Sequence, residues 1–206
     1  MFAVQTAGNV NPFLPDKVNL ALLIVRVVIG VTIAAHGYAK FFRGGKIPGT
    51  AGWFDSMGMK PGKLHAYMAA STEVGGGLLF AAGLLTSLAA AAIVALMVVA
   101  AWTVHRKSGF FIVAGGWEYN FILASMAIAV AAAGAGKFSL DYKLEIIKDF
   151  DGWTGLIIAI GIGVGSAIGQ LAIFFHPPAE DDAPSEDDSP ADDESEAVSE
   201  EADSDS

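Results

Sequence analysis

The sequence predicts an all-α membrane protein, with a four-helix transmembrane bundle, a fifth C-terminal transmembrane helix and a disordered acidic tail. Three observations support this fold class. The 206 residues are 53% hydrophobic and their mean hydropathy is +0.51. Only 17% of the residues are charged, against roughly 25% in an ordinary soluble protein. Finally, five stretches have the roughly 20 mostly apolar residues that a helix needs to cross a bilayer core.

The five apolar stretches define the predicted domain organisation. They cover residues 19–40, 66–84, 86–105, 117–135 and 153–175. Lipid offers the backbone no hydrogen-bond partners, so each stretch is predicted to be helical. The first stretch is too long for a removed signal peptide and lacks a small-residue cleavage site, so we expect it to be retained. The predicted units are an N-terminal segment (1–18), a four-helix core (19–143), a fifth helix (153–175) and a tail (177–206).

The connection between the first two stretches, residues 41–65, is predicted to be an amphipathic loop. It is rich in glycine and proline and contains the run Trp53-Phe54-Asp55-Ser56-Met57-Gly58-Met59. Such a segment would lie on the membrane surface or fold over the mouth of the bundle. Trp102, Trp117 and Trp153 fall at the ends of predicted spans, where aromatic rings favour the headgroup region.

The charge is unevenly distributed along the chain. The net charge is −10, but residues 179–206 contain 14 of the 22 acidic residues and no basic residue. The rest of the chain contains 12 basic and 8 acidic residues, a net charge of +4. The tail composition is typical of a solvated, disordered segment, with docking to a basic partner as the alternative. No basic face indicates nucleic-acid binding, and the absence of cysteine excludes disulfides, iron–sulfur ligation and thiolate zinc sites.

The basic residues that flank the predicted spans indicate the orientation of the chain. One side carries seven of them and the other carries four. Lys and Arg are enriched in cytoplasmic loops, so we expect the first group in the cytoplasm, the N-terminus outside and the acidic tail inside. The first group is Lys40, Arg43, Lys46, Lys60, Lys63, Arg106 and Lys107, and the second is Lys17, Lys137, Lys143 and Lys148.

Four ionisable residues are predicted to lie in the same half of the bundle. Alternating helix directions and a rise of about 1.5 Å per residue place His36, Glu73, His105 and Glu118 there. Placing an ionisable group inside a membrane-spanning helix costs free energy, so each such residue is expected to have a polar partner or a functional role. A His36–Glu73 pair in an apolar cavity could exchange a proton with a quinone-like headgroup. We therefore predict Glu73 and His36 as catalytic residues, and His105, Glu118 and Tyr119 as contacts to the bound cofactor.

Alternatives to this site remain open at this stage. The same polar residues could form a network that only fixes helix register. A metal site is not expected, because the chain lacks the Glu-x-x-His pattern of bundle metal sites and also lacks His-x-x-x-His. His65 is expected to be a loop residue without a role. In the opposite half, Arg26 is expected to form an ion pair with Asp141.

The last predicted helix contains a stripe of glycines at positions 161, 165 and 169. Glycines spaced four apart allow helix backbones to approach closely. The stripe is expected either to pack on a similar stripe of the fourth helix, Ser125, Ala129 and Ala133, or to dock another subunit.

Residues 20–143 resemble the DoxX family of small bacterial membrane proteins. The first helix reads Arg26-x-x-x-Gly30-x-x-x-x-x-His36-Gly37-x-x-Lys40-Phe41. The loop contains Gly49-Thr50-Ala51-Gly52-Trp53-Phe54, and the second helix contains Glu73-Val74-Gly75-Gly76-Gly77 followed by Gly83-Leu84-Leu85-Thr86. The fourth helix opens with Gly115-Gly116-Trp117-Glu118-Tyr119 and leads to Gly136-Lys137-Phe138-Ser139-Leu140-Asp141. The fifth helix and the acidic tail lie outside the resemblance.

The resemblance implies a four-helix core in a bacterial plasma membrane and an association with membrane redox systems. It implies shared polar positions at Arg26, His36, Glu73, Glu118 and Asp141. We therefore expect an integral subunit of a quinone-linked respiratory or redox complex, with menaquinone or ubiquinone as the cofactor and other membrane subunits as partners. The first alternative is a non-catalytic accessory or assembly subunit. The second is a small-solute or proton carrier, but carriers typically contain broken helices, and the predicted spans are unbroken.

Overall fold

The computed structural model describes residues 15–145 and 150–177, and they form helices joined by short connections. Most of the predicted N-terminal segment and nearly all of the predicted acidic tail lie outside these residues. The structure also contains two π-helical turns, Ala101–His105 and Ile158–Ile162, each continuous with the α-helix before it. The helices are α1 (Asp16–Phe42), α2 (Lys46–Ser56), α3 (Gly62–Ala82), α4 (Thr86–Ala100), α5 (Glu118–Ala133), α6 (Leu140–Leu144), α7 (Gly152–Ile157) and α8 (Gly163–Phe174).

Three helical segments are long and apolar enough to cross a membrane. They are Asp16–Phe42, Thr86–Ser108 and Gly152–Phe174, and they coincide with the first, third and fifth predicted spans. The second and fourth predicted spans correspond to α3 and α5, which have 21 and 16 residues. The all-helical fold class is confirmed, whereas the count of four spans plus one stays a prediction.

Helices α1 and α3 pack with their backbones almost in contact. A Cβ atom built on Gly37 would lie 2.7 Å from the carbonyl oxygen of Ala70. A Cβ on Gly30 would overlap the carbonyl oxygen of Gly77, and one on Gly77 would overlap that of Gly30. Small residues at such crossings allow the close packing that holds membrane helices together.

Helix α4 lies at the centre of the fold, between α3, α5 and α8. Its buried residues Ala90 and Ile93 belong to a core shared with α1, α3 and α5. Gly163 of α8 packs on it, since a Cβ there would lie 2.7 Å from the Cβ atom of Val94. By contrast, a Cβ on Gly161, Gly165 or Gly169 would have no atom within 4 Å. The expectation that this stripe packs on α5 is therefore wrong: the stripe faces away from the described part of the chain.

The predicted 41–65 loop contains a helix that folds back onto the bundle. Helix α2 buries Ile47 and Phe54 in a small core together with Ala66 and Ala70 of α3. The carboxylate of Asp55 accepts a hydrogen bond of 2.7 Å from the backbone N–H of Gly62, the first residue of α3. An acidic group suits this position because the first N–H groups of a helix lack intrahelical partners.

One end of the bundle, which we call the basic end, collects the end of α1, all of α2, the start of α3 and the end of α4. The seven flanking residues of the larger basic group belong to these segments. The chain also leaves α8 here, because the backbone N–H of His176 donates to the carbonyl of Gly58 over 2.8 Å. Phe175 and Met59 form an isolated antiparallel bridge. The acidic tail therefore begins beside the basic end.

Arg26 and Asp141 stabilise the opposite end; their charges attract each other, but the expected direct ion pair is replaced by hydrogen bonds to other groups. Arg26 is fully buried, and its Nη2 donates to the carbonyl of Phe138 over 2.6 Å. Asp141 accepts from the backbone N–H groups of Leu85 and Thr86, at 2.8 and 2.9 Å, and from the Thr86 hydroxyl. Arg26 thus binds backbone carbonyl groups. Asp141 binds backbone N–H groups at the start of α4, where the helix dipole favours an anion.

We expect Gly77→Ala to destabilise the bundle and Gly75→Ala to leave it intact. Both substitutions gain helix propensity equally, by about 1 kcal/mol. Only the Cβ at position 77 would meet a backbone, while position 75 has no atom within 4 Å. Overpacking costs ~1–3 kcal/mol, so Gly77→Ala should unfold more readily than Gly75→Ala in a detergent denaturation series. Equal stability of the two variants would contradict the backbone contact.

Candidate functional site

A cavity of about 380 Å³ opens between α3, α4 and α8 near the basic end. This volume falls within the range of about 300–1,000 Å³ typical of small-molecule sites. Its walls are mostly apolar, with Ala92, Ala95 and Leu96 of α4 among them, and α2 contributes Trp53 and Phe54. The polar groups are Lys40, His65, Thr72, Glu73, Thr103, Ser166 and Gln170. The cavity is therefore amphiphilic, and the 41–65 segment contributes Trp53, Phe54 and His65 to its wall.

An ion pair between Lys40 and Glu73 lines this cavity. The Nζ atom of Lys40 lies 2.6 Å from both Oε1 and Oε2 of Glu73. The two side chains are 22% and 11% exposed, so the pair is largely removed from water. Such charge-assisted hydrogen bonds are shorter and stronger than neutral ones. An ammonium has three N–H groups, so Lys40 keeps a donor that Glu73 does not occupy.

The close packing of α1 and α3 brings these two charges together. Gly37 lies one turn before Lys40, and a Cβ there would lie 2.8 Å from the Cβ atom of Glu73. Because glycine has no side chain, the end of α1 lies directly on the turn of α3 that carries Glu73. Lys40 extends from this contact and reaches the carboxylate.

The predicted partner of Glu73, His36, lies close enough to interact electrostatically with the carboxylate, but the hydrogen bonds of Glu73 go to another residue. His36 is exposed and is not among the residues that line the cavity. Within the described residues, the hydrogen-bond partner of Glu73 is Lys40. Sequence reasoning counted Lys40, at the end of the first predicted span, only among the basic residues that flank the spans, and therefore left it out of the site. The signal was present in the spacing, because position 40 is one helical turn beyond position 36.

The other predicted contacts, His105, Glu118 and Tyr119, lie outside the cavity lining. The Nδ1 atom of His105 lies 2.6 Å from the carbonyl oxygen of Gly115. The carboxylate of Glu118 accepts from the backbone N–H of Ile112 over 3.0 Å. Tyr119 is 40% exposed. Of the five predicted residues, the structure places only Glu73 in the cavity.

His65 and Gln170 form a second polar group on the cavity wall that sequence reasoning did not identify. His65 is only 1% exposed, and its Nδ1 lies 3.1 Å from the side-chain nitrogen of Gln170. Its other ring nitrogen, Nε2, has no hydrogen-bond partner among the described residues. A buried polar atom without a partner is rare in native proteins. No group of three or more metal-ligating side chains occurs in residues 15–145 and 150–177.

The DoxX family model matches residues 21–106. This match confirms, over that range, the resemblance seen in the sequence. DoxX is a family of membrane proteins, in agreement with the three helical segments long enough to span a bilayer. Comparisons with curated proteins and with solved structures gave no match.

The DoxX match divides the candidate site between two parts of the chain. Lys40, His65 and Glu73 lie inside the matched residues, whereas Gln170 lies outside them on α8. Glu118 and Asp141, which the sequence resemblance also included, fall beyond the matched range. The cavity is thus closed on one side by a helix that the DoxX match does not cover.

We expect Lys40→Met and Glu73→Leu to destabilise the protein singly and the double variant to recover much of the loss. Each single variant leaves a largely desolvated charge without its partner. Breaking a fully buried pair costs ~3–5 kcal/mol, whereas apolar replacement of both partners is often neutral. Because this pair keeps some exposure, we expect about 2 kcal/mol for each single variant.

Unfolding in detergent, measured for both single variants and the double variant, checks this double-mutant cycle. Lys137→Met is the matched control, because Lys137 pairs with exposed Asp16 over 3.3 Å and such pairs contribute at most ~1 kcal/mol. Additive losses in the double variant would show that the pair is not coupled.

Proposed function

We propose that the protein is an integral membrane subunit of a quinone-linked redox complex, and that the cavity binds a quinone-like headgroup. The observation that carries this proposal is the Lys40–Glu73 pair on the wall of an otherwise apolar cavity. A quinone has a polar ring and a long apolar substituent, which matches that combination. The DoxX match supports a membrane role, and the family resemblance supports the link to redox chemistry.

In this proposal Lys40 donates its remaining N–H to a carbonyl oxygen of the ring. Reduction to a quinol consumes two electrons and two protons, and the electrons come from a redox centre on a partner subunit. Lys40 would give one proton to the oxygen that it holds and become a neutral amine, and the second proton would reach the other ring oxygen from water. Glu73 would stabilise the ammonium before the transfer and again once Lys40 is reprotonated. His65, through its unpaired Nε2, is proposed as the second polar contact.

His36 is proposed to supply protons to the pair rather than to contact the ring. It is exposed and lies one turn before Lys40 on α1. An imidazole has two ring nitrogens, one of which can accept a proton while the other donates one. We further propose that the membrane is a bacterial plasma membrane, and that the basic end and the acidic tail are on its cytoplasmic side.

We expect a decyl-substituted benzoquinone to quench the fluorescence of Trp53, which lines the cavity, in the purified full-length chain. The Trp53 signal is obtained by subtracting the fluorescence of the Trp53→Phe variant from that of the unaltered protein. Glu73→Gln should weaken the quenching at least about tenfold in apparent affinity, a difference of about 1.4 kcal/mol. It should also abolish quinone-dependent electron transfer in the intact complex.

Asp16→Asn is the matched control, because Asp16 is an exposed carboxylate at the opposite end of α1. It should leave both the quenching and the electron transfer unchanged. Unchanged turnover in Glu73→Gln, together with unchanged quenching, would refute the assigned role of this residue. If the quinone does not quench the fluorescence of Trp53 in the unaltered protein, the proposed binding site is refuted.

A second candidate is a non-catalytic accessory or assembly subunit of a respiratory complex. The observation in its favour is the glycine stripe of the last helix, which has no contact with the described part of the chain. Here the Lys40–Glu73 pair only fixes the register of α1 and α3, and the stripe and tail bind partner subunits.

On this second reading, Gly165→Leu and deletion of residues 179–206 should each reduce co-purification of partner subunits in mild detergent. Gly75→Leu is the matched control, because it also places leucine where a Cβ has open space, but on α3. Full retention of partners by both altered chains would eliminate the accessory role.

A further inference from the structure

The loop that joins α4 to α5, residues 106–117, presents a run of exposed apolar side chains. Val113 is 94% exposed, Phe111 66% and Ile112 50%. Phe110 precedes them and is 38% exposed. Large apolar patches on a protein surface usually mark an interaction site. The described residues of the chain leave this run uncovered.

Hydrogen bonds from both flanking helices hold the loop in one shape. The backbone N–H of Glu118 donates to the carbonyl of Phe110 over 2.9 Å, and that of Trp117 to Gly109 over 3.2 Å. The side chains of His105 and Glu118 add bonds to Gly115 and Ile112. His105 and Glu118 thus act as a clasp that fixes the apolar run.

The surroundings of the clasped loop resemble a membrane interface. The Phe110 ring packs edge-on against Trp117 at 4.7 Å between ring centroids. The guanidinium of Arg106 lies 4.7 Å from the ring centroid of Trp102, on its face. Trp and Tyr rings favour the headgroup region, and nearby Arg and Lys are attracted to anionic headgroups.

We propose that the α4–α5 loop inserts Phe111, Ile112 and Val113 into the headgroup–acyl boundary of the leaflet at the basic end. The loop continues directly from the membrane-spanning segment Thr86–Ser108, which places it at a bilayer surface. Its apolar side chains face lipid there, and Arg106 faces anionic headgroups. This inference assigns His105 and Glu118 a positioning role and is independent of quinone binding.

The test uses a single cysteine at Val113, since the chain has no cysteine of its own. Val113→Cys carries an environment-sensitive fluorophore (NBD), and the full-length protein alone is placed in nanodiscs of phosphatidylcholine and phosphatidylglycerol. We expect blue-shifted emission and strong quenching by a nitroxide on the lipid headgroup. Val28→Cys, exposed on α1, is the acyl-chain reference, and Lys63→Cys is the water reference.

The clasp is tested with the labelled Val113→Cys protein that also carries Glu118→Ala. Without the carboxylate that accepts from Ile112, we expect the headgroup quenching to fall at least about twofold. Glu118→Gln should restore it, because its side-chain oxygen can accept the same bond. Unfolding of each variant shows whether the bundle is intact.

One outcome would overturn the proposed insertion, and another would overturn the clasp role of Glu118. If the label at position 113 matches the Lys63 reference in emission and quenching, the run faces water and would be available to a protein partner instead. If Glu118→Ala leaves the quenching unchanged while the label remains in lipid, insertion stands but the clasp role of Glu118 is refuted.

Discussion

Helices α1 and α3 approach each other backbone to backbone at Gly30, Gly37 and Gly77. This contact fixes both the spacing and the register of the two helices. Lys40 reaches Glu73 because Gly37 lets the end of α1 lie on the turn that carries the carboxylate. The pair in turn places charge beside the cavity. Without this contact the two charges would each need another partner or water.

The helical elements were predictable from the sequence because their cause is local. Apolar stretches of sufficient length mark a spanning helix wherever they occur, and three of the five predicted stretches coincide with segments that are long and apolar enough to span. The helix α2 was harder to predict. Its glycines and proline suggested a loop, whereas burial of Ile47 and Phe54 against α3 stabilises a helix.

The site was predicted only in part. The position of a residue in a predicted span indicates its height along the bundle axis, but not the direction in which its side chain points around the helix axis. Glu73 was correctly identified as a buried carboxylate, whereas His36 at a similar height is exposed. His105 and Glu118 have the expected height, yet they bind a loop. Lys40 and Gln170 were missed because their relevance depends on which helices are neighbours, and that is a property of packing.

The bridge between Phe175 and Met59 connects the end of the last helix to the connection before α3. That connection lies between Phe54 and His65, which both line the cavity. The hydrogen bond between Gln170 and His65 also connects the last helix to the first turn of α3. A displacement of the end of α8 would therefore be passed on to Phe54 and His65, and so to the wall of the cavity.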